Sequence, residues 1–283
     1  MPATVVHCVA FADGEGGGNP CPVVFGAGAW SGERMRAAAA RFGHETCFVL
    51  APEAGVEADV RYRYFVPNHE MEMCVHATVA ATVLRGRDAR VQTPLGVRAV
   101  RVDAAAGRAV VEQFAPAFGP PVAEDDAIAA ALGGARPAGL VRSVSTSRAK
   151  LMVPLAGEAT LDALEPDLDA LWSLCERLDV TGFYPYALSA RDADVAARQF
   201  PLRAGYDEDP ATGVAACALG AHLADQAGDG AGAGWHRVTI AQGRAMGRPS
   251  LIAAEALRDA SGAITETRVG GASVALGAAE PLA

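Results

Sequence analysis

The sequence lacks the features that mark several common functional classes. It has no block rich in lysine and arginine, and its net charge is −9 with an isoelectric point near 5.2. A nucleic acid or an anionic membrane surface is therefore disfavoured as a partner. No uninterrupted apolar run reaches the length of a membrane span. The opening residues, MPATVVHCVAFADGEGG, have no basic segment ahead of their short apolar run and are not expected to form a signal peptide. The six cysteines, Cys8, Cys21, Cys47, Cys74, Cys175 and Cys217, are scattered, with no CxxC pair and no compact framework. That usage fits a reducing cytoplasm and buried thiols. There is no GxSxG, which argues against an α/β-hydrolase serine. The glycines at 14–18 miss the GxGxxG spacing and lead into a strand pattern, which argues against a dinucleotide site.

What is present is an apolar chain of ordinary size. The 283 residues are 51% hydrophobic with a mean hydropathy of +0.17, enough for one large domain or two of about 130 residues. Strand patterns are expected at 4–11, 22–25, 46–50, 60–66, 91–102 and 108–114. Ser31 is the expected cap of a helix over 31–42 that Gly43 stops. Residues 115–121, APAFGPP, are the expected linker. Beyond it, helices are expected at 125–132 and 161–178, and strands at 140–144, 151–155, 182–189, 194–200, 237–241, 250–257 and 265–276. A glycine-rich loop is expected at 228–234. Short connections favour antiparallel or mixed sheets, so the expected class is mixed α/β (α+β).

Two stretches stand out. GYDEDPATGVAACALGAHL, at 205–223, sets three acids before a run of small apolar residues, and Asp209-Pro210 reads as the helix start. The exposed N–H groups of such a start would suit an anion. The second stretch is PNHEMEMCVHATVAATVL, at 67–84. Its VAATVL resembles the VAACAL of the first, which suggests a two-fold internal repeat with one apolar helix per half.

The ordered set GGNPCPVVF, HETCFVL, RYFVPNHEMEMCVHAT, VSTSRAKLMVPL, RQFPLRAGYDEDPATG, AQGRAMGRPSLI and GGASVALG resembles the PhzF-like family of phenazine biosynthesis. That family shares the diaminopimelate epimerase fold. The resemblance implies two similar domains, each a curved, mostly antiparallel sheet wrapped around a central helix, spanning 1–117 and 118–268. The last strand, from 269, would return to the first domain. It also implies an active site between the domains, a homodimer and no cofactor. Glu45 matches the family's proton-shuttling glutamate, His76 the histidine of its GHAT-like step, and Asp209 the aspartate of EDPATG. In the type reaction the glutamate moves a proton between two carbons of a dihydroanthranilate-like acid while the histidine and aspartate hold and polarise it. Thr212 and Gly213 belong to the same EDPATG step. Ser145 lies in a loop that the family places near substrate, and Asn19 is a turn residue within reach of the cleft.

Three positions depart from the family pattern. Val75 stands where glycine usually precedes the histidine, Val214 where serine usually follows Thr-Gly, and His44 where serine commonly precedes the glutamate. Loss of a glycine and of a hydroxyl donor narrows the pocket and makes it more apolar, which points to a substrate other than the type one. Taken alone, Asp209 reads as a helix cap, Glu45 as a surface acid and His76 as a structural histidine. A zinc set of His69, Cys74 and His76 has no usual spacing and no fourth ligand. Cys74 occupies the position of one base of the two-cysteine epimerases, but the partner thiol expected near Pro210 or Ala211 is missing. Packing is its simplest role.

The expected activity is a cofactor-independent isomerisation of a small cyclic unsaturated carboxylic acid, dihydroanthranilate-like or pyrroline-carboxylate-like. The richness in alanine, arginine and glycine suggests a high-GC genome and a place in secondary metabolism such as antibiotic biosynthesis. An amino-acid epimerase or a ligand-binding relative of the same fold are the alternatives.

Overall fold

A computed structural model describes residues 2–188 and 191–282. The chain separates into two compact units, Met1–Glu112 with Gly270–Ala283, and Gln113–Val269.

The first unit contains β1 (Thr4–Ala10), β2 (Asn19–Phe25), α1 (Gly32–Phe42), β3 (Thr46–Leu50), β4 (Val60–Phe65), β5 (Glu70–Met71), α2 (Val75–Arg85), β6 (Ala89–Thr93), β7 (Gly96–Asp103) and β8 (Arg108–Glu112). Its strands pair β1–β2 antiparallel, β2–β3 parallel, β3–β4 antiparallel, β4–β6 parallel, then β6–β7 and β7–β8 antiparallel. α1 is built as its sequence demands. The Ser31 side chain accepts from the Arg34 N–H, and Gly43 takes the left-handed conformation that closes the last turn. β4 alternates half-buried Arg61 and Arg63 with fully buried Tyr62 and Tyr64.

α2 is buried along most of its length and packs against β1, β2, β3, β7 and β8. Alanines let the strands approach it closely, while its two buried threonines need partners for their hydroxyls. Thr78 and Thr82 donate to the carbonyls of Cys74 and Thr78, at 2.7 and 2.8 Å. The same hydroxyls meet Tyr64 at 2.6 Å and Tyr62 at 3.2 Å. These four side chains tie the helix to β4 through a satisfied polar ladder.

The second unit contains β9 (Ala117–Pro121), α3 (Asp125–Ala131), β10 (Arg142–Ser145), β11 (Lys150–Pro154), α4 (Glu158–Asp162), α5 (Leu168–Arg177), β12 (Gly182–Leu188), β13 (Val195–Ala197), β14 (Phe200–Pro201), α6 (Gly213–Gln226), β15 (Gly234–Gln242) and β16 (Ser250–Arg258). β17 (Ile264–Ala275) leads the chain back into the first unit, and β18 (Glu280–Pro281) pairs there with β1. The pairings run β10–β11 antiparallel, β11–β12 parallel, β12–β13 antiparallel, β13–β15 parallel and β15–β16 antiparallel. This order repeats that of β1, β2, β3, β4, β6 and β7. α2 and α6 occupy the same place in the two orders, each in the crossover between a parallel pair. α6 is the more completely buried helix and packs on β10, β11, β15 and β16. Gly220 permits that packing, because a Cβ there would lie 2.8 Å from the Ala254 Cβ.

Several local expectations are corrected. Most of the linker expected at 115–121 is β9, which pairs with β10, so Pro120 and Pro121 sit in a strand rather than a free tether. The strand expected over 91–102 is the β6–β7 hairpin, turned at Pro94 and Leu95. The helix expected over 161–178 breaks into α4 and α5, with Pro166 in the gap. The strand expected at 194–200 is likewise two, β13 and β14. Ser189, at the end of the strand expected over 182–189, lies outside the described residues. Most consequentially, α6 does not start at Asp209-Pro210. Its cap is Thr212, because the Asp209 N–H bonds to the Gln199 carbonyl at 3.0 Å and keeps the chain extended past Pro210.

Candidate active site

In the first unit, the site grows from two element ends. Gly43 terminates α1, and the chain turns through His44 and Glu45 directly into β3. Cys74 is the cap residue of α2, and His76 lies in its first turn. The Cys74 Sγ is 3.1 Å from Glu45 Oε2 and 3.3 Å from His76 Nδ1, and His76 Nε2 is 3.4 Å from the same carboxylate oxygen. Glu45, Cys74 and His76 thus form a closed triangle. Cys74 is 2% exposed and His76 5%, while the Glu45 side chain keeps 14% of its surface. Burial, followed by the negative charge of Glu45, pushes the Cys74 thiol well above its ordinary range. It is a donor to the carboxylate, not a thiolate nucleophile.

The remaining expected residues of this unit lie near the ends of the same elements. Asn19 begins β2 and is buried opposite Ala10. Val75 is the first helical residue and is also buried. His69 does not join Cys74 and His76 as in the zinc set first considered. Its ring bonds to the Asn68 side chain at 2.6 Å on the surface, and the third member of the cluster is Glu45. Cys74, expected in a packing role, also touches Glu45 and His76 with its thiol.

In the second unit, Asp209 is buried beside the start of α6. The Thr212 hydroxyl donates to the Asp209 carboxylate in a very short contact and lies 3.4 Å from Gln199 Oε1. Gln242 completes the arrangement. Its Nε2 donates to the Asp209 carbonyl at 2.6 Å, and its Oε1 accepts from the Thr212 N–H at 3.2 Å and from the Tyr184 hydroxyl at 2.9 Å. Burial raises the Tyr184 hydroxyl far above its ordinary range, with the charge of Asp209 adding to it. Gly213 and Val214 are the first two helical residues, both buried, and no acidic side chain lies in this first turn. Ser145 ends β10, half-buried, and pairs with Ala117.

The two acids that precede Asp209 are engaged elsewhere or exposed. Glu208 is drawn into a two-pronged pair with Arg198 at 2.7 and 2.9 Å, and Asp207 is exposed. Gln199, Gln242 and Tyr184 were not identified from the sequence, because neutral amides and a strand tyrosine carry no pattern of their own. The cap of α6 is a hydroxyl where the cap of α2 is a thiol. The thiol nearest the start of α6, Cys217, lies one turn inside the helix and is pushed up to about 12 by burial. Among the described residues, no thiol stands at the start of α6 as Cys74 does at the start of α2.

Known proteins resemble this chain along most of its length. Residues 8–279 match the family model described as phenazine biosynthesis-like protein, PhzC-PhzF. An uncharacterized isomerase of Escherichia coli K12, YddE, is 34% identical over 269 residues, covering 89% of each chain. The trans-2,3-dihydro-3-hydroxyanthranilate isomerase of Pseudomonas aeruginosa is 28% identical over 256 residues, covering 87% of this chain and 88% of that one. Among solved structures, a PhzF-family protein of Bacillus anthracis superposes with a TM-score of 0.87 at 23% identity over the full length of both chains. A predicted epimerase of P. aeruginosa gives 0.81 at 24% identity, covering 99% of this chain and 98% of that one. These two likenesses establish the mixed α/β, sheet-dominated fold. Among the described residues, no helix is long and apolar enough to cross a membrane.

Proposed function

We propose, from the premise that this chain belongs to the phenazine biosynthesis-like protein family, that it is an isomerase moving a proton and its double bond within a small cyclic unsaturated carboxylic acid. Glu45 is the acid/base group of this reading. It takes a proton from one ring carbon and returns it at another, so the ring gains and loses nothing overall. The observation that carries the reading is the placement of one carboxylate between two groups able to exchange protons with it, the Cys74 thiol and the His76 imidazole. His76 steadies the carboxylate and the substrate atom that bears the developing charge. Asp209, with its Thr212 partner, holds and polarises the substrate, and Asn19 and Ser145 supply peripheral contacts. Val75 and Val214 set the size of the ring that fits, and both favour a more apolar substrate than the dihydroanthranilate-like acid of the type reaction.

The test is incubation of candidate cyclic acids with the enzyme in deuterium oxide. Deuterium at a new ring carbon, with a shifted ultraviolet absorbance, is the expected outcome. Deuterium only at the α-carbon, with loss of chirality, would replace isomerisation by epimerisation. Full activity in Glu45→Gln would remove the mechanism altogether.

A further inference from the structure

Glu45, Cys74 and His76 have a second property that proton transfer does not require. Their ligand atoms, a carboxylate oxygen, a thiol sulfur and an imidazole nitrogen, all lie within 4.8 Å of one another. Taking His76 through Nε2, the three edges of the triangle are 3.1 Å for sulfur to oxygen, 3.7 Å for sulfur to nitrogen and 3.4 Å for nitrogen to oxygen. A tetrahedral ion with bonds of about 2.3 Å to sulfur and about 2.0–2.1 Å to nitrogen and oxygen spaces its ligands roughly 3.3–3.6 Å apart. The cluster therefore has the dimensions of three corners of such a site before any ion arrives. We infer that Glu45, Cys74 and His76 form a three-ligand site for a thiophilic divalent cation such as zinc or cadmium.

The donor set decides the class of ion. One sulfur, one nitrogen and one oxygen suit a borderline-soft cation, whereas calcium and magnesium seek six or more oxygens. Cys74 must release its proton to solvent as the metal–sulfur bond forms. The resulting thiolate and the Glu45 carboxylate supply two negative charges to match the divalent cation. That match offsets the unfavourable positive end of α2, at which Cys74 is the cap. The fourth corner has no protein ligand assigned to it, and Glu45, the most exposed member, marks the side from which an ion enters.

This site does not rest on the isomerase reading, and its test needs no substrate. Metal-free protein is titrated with cadmium while the ultraviolet charge-transfer band of a cadmium–thiolate bond is followed. One band equivalent per chain is expected, removed by a chelator, and abolished in Cys74→Ser with affinity reduced more than about 100-fold. Even a partner one bond beyond the ligand shell costs roughly 10- to 100-fold. Glu45→Gln keeps the thiol and should retain the band with weaker binding. Circular dichroism checks that each variant is folded, and cadmium NMR of the wild-type protein, expected to report a single sulfur ligand, serves if Cys74→Ser is not. Absence of the band, or its persistence in folded Cys74→Ser through Cys8, Cys21 or Cys47, overturns the site. Deuterium exchange by the metal-free enzyme is read separately, so failure of one conclusion leaves the other standing.

Discussion

The two units present the same kind of helix end with different chemistry around it. α2 and α6 each follow a cap residue in extended conformation, and neither has an acid in its first turn. At α2 the cap is Cys74, and the nearby acid comes from 29 positions away to meet a thiol and an imidazole. At α6 the cap is Thr212, and the acid comes from three positions away to meet a hydroxyl, held in a frame of two glutamine amides. A carboxylate and an imidazole can each give and take a proton, whereas hydroxyls and amides keep theirs near neutral pH. Under the proposed function, the end of α2 transfers the proton and the end of α6 positions the substrate.

This contrast can be broken at several places. The largest effect is expected from Glu45→Gln, which should reduce proton exchange by about 100- to 10,000-fold, measured as deuterium incorporation. If the division of labour holds, Asp209→Asn should cost less, on the order of 100-fold in kcat/KM, with the residual enzyme still exchanging at the same ring carbons. An Asp209→Asn loss equal to that of Glu45→Gln would erase the distinction.

The far ends of the helices also differ. His222 and Leu84 are each the tenth residue of their helix. His222 accepts from Arg142 of β10 at 3.0 Å and faces Asp225 and Gln226 of α6 and Tyr186 of β12. Burial, then the Arg142 charge, lowers it to about 4, against the opposing pull of Asp225. The unfolded histidine takes up its proton near 6.5, above the folded value, so the stabilisation is complete above that pH and is lost as pH falls toward 4. Unfolding midpoints in denaturant should record a loss of up to about 3 kcal/mol across this window, absent in His222→Leu. Gln242→Leu should destabilise by about 1–3 kcal/mol, since it strips partners from the Thr212 N–H and Tyr184 hydroxyl. Tyr64→Phe, which leaves the Thr78 hydroxyl its bond to the Cys74 carbonyl, should cost only about 1 kcal/mol in the same measurement.

Local chemistry made much of the fold legible. Ser31 and Gly43 delimit α1, and the Arg-Tyr alternation gives β4. The Asp209-Pro210 signal misled because a tertiary bond to Gln199 outweighs a local cap preference. The grouping of Glu45 with His76 was legible only through family resemblance and the contact with Cys74 not at all, for no local rule links an acid before β3 to a helix capped 29 residues later. Gln199 and Gln242 stayed hidden for the same reason: they reach Thr212 from 13 and 30 residues away.

The threonine ladder of α2 has a consequence for the site it supports. Successive residues of an α-helix are turned by about 100° about its axis, so a small rotation sweeps its first-turn side chains through large arcs. Tyr64 and Tyr62 grip the helix at two levels one turn apart, through Thr78 and Thr82, and Thr78 in turn holds the Cys74 carbonyl. The helix therefore has a fixed phase relative to β4. The aim of the thiol and the imidazole at Glu45 is thereby held by contacts one and two turns along the helix from Cys74.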